Sequence, residues 1–170
     1  MTNAVEPVDE IKEKIVIQPF DCKIIGNTRI FIKVKVNKKY HKKAVAIGIN
    51  PSKAHKGESD TTLTKISRYL YQYGVGELAM INLFETISTN QNGIVSSQKC
   101  DLKKHKRLLS DADMIVVAWG TGKKYLEEKE AATCYLSQWS DKVYCIEGKR
   151  GNRPRHPSRI SYSDLFVKFF

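Results

Sequence analysis

Hydrophobic and polar positions follow two different periods along this chain. The run CKIIGNTRIFIKVKV (residues 22–36) carries β-branched side chains on both sides of a Gly-Asn pair and alternates in its second half, which predicts a β-hairpin. The run AVAIGI (residues 44–49) is almost continuously apolar, as strands are when a parallel sheet buries both of their faces. Downstream, Leu63, Ile66 and Leu70 recur at helical spacing.

Strand and helix patterns then alternate towards the C-terminus. Buried strands are predicted at residues 77–84, 114–120 and 141–147. Helices are predicted at residues 61–74, 101–112 and 122–139, and a short amphipathic helix is predicted after the arginine-rich loop near the C-terminus. This alternation predicts an α/β fold of three layers, α/β/α, around a central and mainly parallel sheet. The polar residues 1–14 predict a flexible N-terminal arm, followed by a single domain over residues 15–170.

Ligands of open α/β sheets bind beyond the carboxyl ends of the strands, so the strand ends are the first places to search for a site. Three of them carry polar or aromatic groups: Asn50 to Ser52, Asn82 to Phe84, and Trp119 with Gly120. The stiff Asn-Pro-Ser turn has a purely structural explanation as well. Asn82 needs a partner at the end of an apolar strand, either by capping a helix or by binding the edge of a ligand.

The charge of the chain narrows the choice of partner. Lys and Arg number 29 against 18 Asp and Glu, a formal net charge of +11, which favours nucleic acid. The run RPRHPSRIS places three arginines around His156 and Ser158, where cations and free backbone amides suit a phosphate. His156 is either a hydrogen-bond donor to a developing oxyanion or a solvated loop histidine.

Several classes of protein are disfavoured by what the sequence lacks. The four cysteines contain no C-x-x-C pair and the histidines have no metal-ligand spacing, so neither a metal nor another cofactor is expected. There is no P-loop or dinucleotide fingerprint. No apolar run approaches the roughly 20 residues of a membrane span, and we expect a cytoplasmic monomer. Asp60 suits a helix N-cap, with a catalytic or water-positioning role as the alternative. The carboxylates of the YLEEKE run (residues 125–130) indicate a solvated helix face.

The order of the motifs resembles the uracil-DNA glycosylase superfamily over residues 44–170. The motifs are G-I-N-P after the first core strand, N-L-F after the second, V-V-A-W-G in the third, and H-P-S-R-x-S near the C-terminus. The runs NPSKA, DTT, GVGELAMINLF and RHPSR also resemble the bacterial and phage family called domain of unknown function 1643. Together the two resemblances imply a glycosylase-like fold.

The glycosylase resemblance implies a role for individual residues. Asn50 would position the water that attacks C1′ of the sugar, and His156 would stabilise the anionic base as it leaves. The residues implied at the base are Asn82, Ser52 and Gly48. The aromatic side chain that stacks on the base would come from Phe84 or from one of Tyr69, Tyr71 and Tyr73. Those implied at the DNA phosphates or in the wedge that replaces the extruded nucleotide are Ser158, Arg159, Arg155 and Ser161. An asparagine in place of the classical aspartate weakens water activation, so a modified base is an alternative to uracil.

Three functions therefore stay open. The first is a monofunctional DNA glycosylase that hydrolyses the N-glycosidic bond of a flipped uracil or modified base, in DNA repair, in defence or in a phage. The second is a non-catalytic module that binds nucleic acid or a nucleotide on the same fold. The third is another hydrolase or transferase acting on nucleotides, for which Asp60 would be the catalytic residue.

Overall fold

A computed structural model describes residues 4–10, 15, 17–51, 54–87 and 99–170. The strands in this part of the chain are β1 (Gln18–Ile25), β2 (Thr28–Lys35), β3 (Lys42–Gly48), β4 (Val75–Asn82), β5 (Met114–Val117), β6 (Val143–Glu147) and β7 (Leu165–Lys168). The α-helices are α1 (Thr61–Tyr71), α2 (Lys106–Asp111) and α3 (Leu126–Leu136). Short 3-10 helices precede α2 at Leu102–His105, follow α3 at Ser137–Lys142 and occur at Pro157–Arg159.

The strands form one seven-stranded sheet in the order β1-β2-β4-β3-β5-β6-β7. The four central strands β4, β3, β5 and β6 are parallel. Strands β1 and β2 form the predicted hairpin and join β4 in antiparallel orientation, and β7 is antiparallel to β6. The α/β class and the hairpin are therefore confirmed, while the sheet is parallel in its centre and antiparallel on both sides of it.

Helices cover both faces of the sheet because successive strand residues point to opposite sides. One core combines alternate strand residues with the buried face of α1, including Ala44, Ala46, Leu63 and Ile66. The other core combines the intervening strand residues with the buried faces of α2 and α3, including Val45, Ile47, Leu109 and Leu136. The continuous apolar character of the AVAIGI run reflects this burial on two sides.

Helix α1 begins as the sequence predicts. The side chain of Asp60 accepts a hydrogen bond from the Leu63 backbone N–H at 2.7 Å, which satisfies one of the free amides of the first turn. The chain turns away from the helix axis at Gly74, which has a φ of 78°. The aromatic residues of this helix are buried in the core, and the hydroxyl of Tyr69 donates to the carbonyl of Asp164 at 2.8 Å. The N-cap reading of Asp60 is confirmed.

The predicted amphipathic helix at the C-terminus is wrong, since this segment is strand β7. Phe166 and Val167 are buried while Leu165 is exposed, and Cys145 of β6 pairs with Val167. Pairing satisfies the backbone groups that β6 would otherwise leave open at the sheet edge. The backbone N–H of Val5 donates to the carbonyl of Phe166 at 2.7 Å on the other side of β7.

Residues 4–10 lie within the segment predicted as an arm, and they contact the domain in two further places. The backbone N–H of Val8 donates to the carbonyl of Gln72 at 2.7 Å, and the hydroxyl of Tyr40 donates to Asp9 Oδ2 at 2.8 Å. The division of the chain near residue 15 stays a prediction. Among the described helices, none has the length and apolar character needed to cross a membrane.

Candidate functional site

The centre of the sheet contains a topological switch point between β3 and β5. These strands are neighbours, but the chain continues from β3 through α1 to β4 on one side and from β5 through α3 to β6 on the other. Diverging connections leave a crevice at the carboxyl ends of two such strands, and ligands bind there. A cavity of about 650 Å³ occupies this position and is lined in part by Ile49, Trp119, Gly120 and His156. Its volume is in the range of small-molecule sites.

The H-P-S turn selects one tautomer of the His156 ring. His156 caps the 3-10 helix at Pro157–Arg159, and its Nδ1 atom accepts the backbone N–H of Ser158 at 3.2 Å. The hydroxyl oxygen of Ser158 lies 2.8 Å from the same nitrogen. Because a backbone N–H can only donate, Nδ1 is the acceptor of the neutral ring and the proton is on Nε2. His156 is therefore a hydrogen-bond donor through Nε2.

Charge and burial keep the His156 ring neutral near pH 7. Burial lowers the pKa of His156, and the nearby positive charge of Arg159 lowers it further. The carboxylate of Asp60 acts in the opposite direction and raises that pKa. Asp60 is thus both the cap of α1 and an electrostatic neighbour of the histidine. Lys65 of the same helix donates to the carbonyl of Ser158 at 3.0 Å, which holds α1 against the turn.

The Lys and Arg side chains that the structure places in the wall of the cavity give it a positive charge, which suits an anionic ligand. Lys124, Lys129, Arg155 and Arg159 all contribute to it. Lys129 is only 8% exposed, its ammonium donates to the carbonyl of Gly122 at 2.5 Å, and burial lowers its pKa. Nothing in the neighbouring sequence predicts that Lys129 is buried, because the glutamates around it are typical of a solvated helix face.

Arg155 and Ser161 hold the arginine-rich loop in place. The Nε atom of Arg155 lies 3.3 Å from Oδ2 of the buried Asp164, and its guanidinium also donates to the carbonyl of Arg159. The backbone N–H of Ser161 donates to the same carboxylate oxygen at 2.9 Å. Both residues have protein partners that shape the loop, so a contact of either with phosphate stays a prediction. Ser158 and Arg159 are exposed beside the cavity.

Gly48, Asn82 and Phe84 form a second layer, next to the cavity. Gly48 pairs with Asn82, and a Cβ atom on Gly48 would lie 2.6 Å from Asn82 Oδ1. Asn82 is 2% exposed, and no donor in the described part of the chain reaches its Oδ1 atom. Phe84 is 1% exposed and packs edge-on against Tyr125 with ring centroids 4.7 Å apart. In this conformation neither Asn82 nor Phe84 lines the cavity.

The remaining implied residues are Asn50 and Ser52. The amide of Asn50 is half-buried and its Nδ2 atom donates to the carbonyl of Pro51 at 3.5 Å. Ser52 lies outside the described residues. The structure therefore brings His156, Ser158, Arg159 and Asp60 together, and it places the two strand-end asparagines outside the wall of the cavity.

Fold and site together define an α/β protein with a cationic, histidine-containing cavity at a topological switch point. The chain belongs to the family described as Protein of unknown function (DUF1643), whose model matches residues 29–158. The matched segment runs from β2 into the 3-10 helix that His156 caps, so it includes the residues named above in the cavity wall except Arg159. The resemblance to this family is confirmed. Comparison with curated proteins and with solved structures found no match.

Proposed function

We propose that this protein is a monofunctional DNA glycosylase that hydrolyses the N-glycosidic bond of a flipped uracil or modified base. The observation that carries the proposal is the hydrogen bond from the Ser158 backbone N–H to Nδ1 of His156, which leaves Nε2 as the donor of a neutral ring in a cationic cavity at the switch point. Helices on both faces of the central parallel strands support a three-layer α/β/α fold of the uracil-DNA glycosylase type.

The chemistry needs stabilisation of a departing anion more than a strong nucleophile. The bond between C1′ and the base nitrogen breaks with its electron pair on the base, and water supplies hydroxide to C1′ and a proton to solvent or base. A donor fixed in advance at the oxygen that becomes negative lowers the barrier without reorganisation. In this proposal His156 is that donor, and Arg159 and Lys129 favour the negative charge.

Two residues are candidates for positioning the water. The resemblance assigns that role to Asn50, whose amide reaches the carbonyl of Pro51. Asp60 is the second candidate because its carboxylate interacts electrostatically with His156. Its Oδ1 atom accepts the hydrogen bond of the helix cap, so the other carboxylate oxygen would have to act on the water. A carboxylate there would accept a proton from water more readily than an amide.

The burial of Asn82 and Phe84 outside the cavity supports the second candidate function, which is a module that binds nucleic acid or a nucleotide without cutting it. Both side chains are almost completely buried, and neither lines the cavity that a flipped base would enter. Such a module would retain the positive charge and the exposed Arg159. Binding would then depend on salt, and Arg159→Ala would reduce the salt slope by about 1.

The test measures release of free base, by mass spectrometry, from DNA containing uracil, mismatches or hypermodified bases. The sharpest variant is His156→Asn, because the asparagine oxygen retains the acceptor for the Ser158 backbone N–H while the Nε2 donor is lost. We expect release to fall by about 10²–10³-fold and DNA binding to stay within a few-fold. His41→Asn, at an exposed histidine, is the matched control and should behave as wild type.

Comparison of Asn50→Ala with Asp60→Asn then identifies the residue that positions the water, since only the correct one should abolish release. Equal release by wild type and His156→Asn would contradict the role of the histidine. Intact DNA binding by wild type without release of any base would contradict the glycosylase and support the binding module.

A further inference from the structure

We propose that Glu85, Cys100 and His105 form a binding site for a divalent transition-metal ion of the zinc class. The site is distinct from the switch-point cavity and independent of the proposed function. One carboxylate oxygen, one thiol sulfur and one imidazole nitrogen from these residues all lie within 4.8 Å of one another. These three donor types are the ones that bind Zn²⁺ in proteins.

The imidazole of His105 is the observation that points to a ligand. The residue is 7% exposed, and among the described residues no hydrogen-bond partner reaches its Nε2 atom. The nearest carboxylate oxygen, Glu85 Oε1, lies 3.8 Å away, which is too far for a hydrogen bond. Ligand atoms of a tetrahedral site with bonds of about 2.0 Å are about 3.3 Å apart, so a small contraction would bring this pair to coordinating distance.

The charges of the cluster also suit a divalent cation. Burial lowers the pKa of His105, so its ring is neutral and its lone pair is free to coordinate. Burial and the Glu85 carboxylate raise the pKa of Cys100 to about 12, so the thiol keeps its proton until a metal displaces it. A thiolate and a carboxylate together balance two positive charges. The metal-bound cluster is then electrically neutral in a buried position.

Lys104 is the cation that pairs with Glu85 in the structure. Its ammonium lies 2.6 Å from Glu85 Oε1, and its side chain is half-exposed, so it can swing into solvent. Cys100 lines one surface cavity of about 400 Å³ and His105 lines another of about 380 Å³, which leaves a route for the ion from either side. The metal would replace the lysine as the partner of the buried carboxylate.

The position in the fold indicates a structural clamp. Glu85 follows β4 by three residues, Cys100 donates its backbone N–H to the carbonyl of Leu83 at 2.7 Å, and His105 precedes α2 directly. A metal bound to all three would fasten the start of α2 to the end of β4. Asn82 is the last residue of β4, so the clamp would hold the carboxyl end of a strand beside the candidate site.

The experiment titrates the chelator-treated protein with Co²⁺, whose thiolate-to-metal charge-transfer absorption reports a cysteine ligand. We expect saturation at one ion per chain, loss of the absorption on addition of Zn²⁺, and release of protons on binding. Cys100→Ser should abolish the charge-transfer band and weaken Zn²⁺ binding by at least about 100-fold, because the loss of second-shell partners alone costs 10–100-fold. Cys134→Ser, at an exposed thiol, is the matched control.

A second variant tests the site without removing a ligand. Lys104→Ala takes away the competing ammonium, so Zn²⁺ should bind more tightly, on the order of 2- to 5-fold. Wild-type protein without a charge-transfer band, or Cys100→Ser with an unchanged one, would overturn the proposal. Weaker Zn²⁺ binding by Lys104→Ala would overturn it as well, and this result does not depend on whether Cys100→Ser folds.

Discussion

Substitution of Gly48 by alanine tests the packing between β3 and β4 that places Asn82. The added Cβ atom would lie 2.6 Å from Asn82 Oδ1 and 3.0 Å from Met80 Cε, so at least one of these side chains must move. Both side chains are buried, so the movement takes place inside the packed core. Overpacking of this kind costs about 1–3 kcal/mol. The loss of glycine's freedom in the unfolded chain offsets about 0.4–1 kcal/mol of that cost.

Two other glycines bracket the expected effect. A Cβ atom on Gly76 would lie 1.9 Å from the backbone carbonyl oxygen of Tyr40, which cannot rotate away, so Gly76→Ala should cost more than about 3 kcal/mol. A Cβ atom on Gly122 would meet nothing within 4 Å, so Gly122→Ala should leave stability unchanged or raise it by about 0.4–1 kcal/mol. The order of stability should therefore be Gly122→Ala, then Gly48→Ala, then Gly76→Ala.

Urea unfolding followed by tryptophan fluorescence and by circular dichroism measures these differences as shifts in midpoint at constant slope. Agreement of the two probes confirms that each variant unfolds in one step. If Gly48→Ala proves as stable as Gly122→Ala, the close approach of β3 to the Asn82 side chain is not the reason for a glycine at this position. In the glycosylase proposal, Gly48→Ala should also reduce base release, since it displaces Asn82.

Three further predictions concern charged and titratable groups. Burial lowers the pKa of both His105 and His156, so the unfolded chain binds more protons below its own histidine pKa of about 6.5. The free energy of unfolding should therefore fall from pH 7 towards pH 5, and the fall should be smaller in His156→Asn. Urea unfolding at each pH measures it, and urea midpoints that are equal at pH 7 and pH 5 would contradict the burial of both rings. Asp60→Asn retains the helix cap, so its free energy of unfolding should stay within about 0.5 kcal/mol of wild type. The pKa of His156, measured by NMR, should decrease in this variant because the negative charge that raises it is lost. Arg155→Ala leaves the buried Asp164 without its ion pair and should cost about 1.5–3 kcal/mol in urea unfolding. An unchanged urea midpoint would contradict a stabilising role of this ion pair.

Much of the fold could be predicted because the signals are local. The strands β3, β4, β5 and β6 and the helix α1 each have a hydrophobic period that specifies one type of element, and Asp60 is an N-cap by residue type and position. The parallel arrangement then follows from alternation, and it places the strand ends at one edge. The neighbourhood of His156 could be anticipated in this way, because the cavity lies at that edge.

The C-terminal segment shows where local signals end. The run from Ser161 to Phe170 contains apolar residues that suit a helix or a strand. It forms strand β7 because pairing with the edge of β6 satisfies the backbone groups of both strands. Lys129 and Arg155 show the same limit for charged residues. Each is charged in a polar stretch of sequence, and each is partly or fully withdrawn from solvent. The folded chain brings Gly122 to the ammonium of Lys129 and Asp164 to the guanidinium of Arg155.

By itself, therefore, the sequence determined the type and order of most elements, the edge of the sheet at which the candidate site lies, and the excess of positive charge. Tertiary structure alone decided which side chains meet. It placed Asp60 beside His156, set Asn82 behind Gly48, and gathered Glu85, Cys100 and His105 into one cluster. The physical reason is that period and charge are properties of neighbours in the chain, whereas burial, pKa and coordination depend on atoms brought together only by folding.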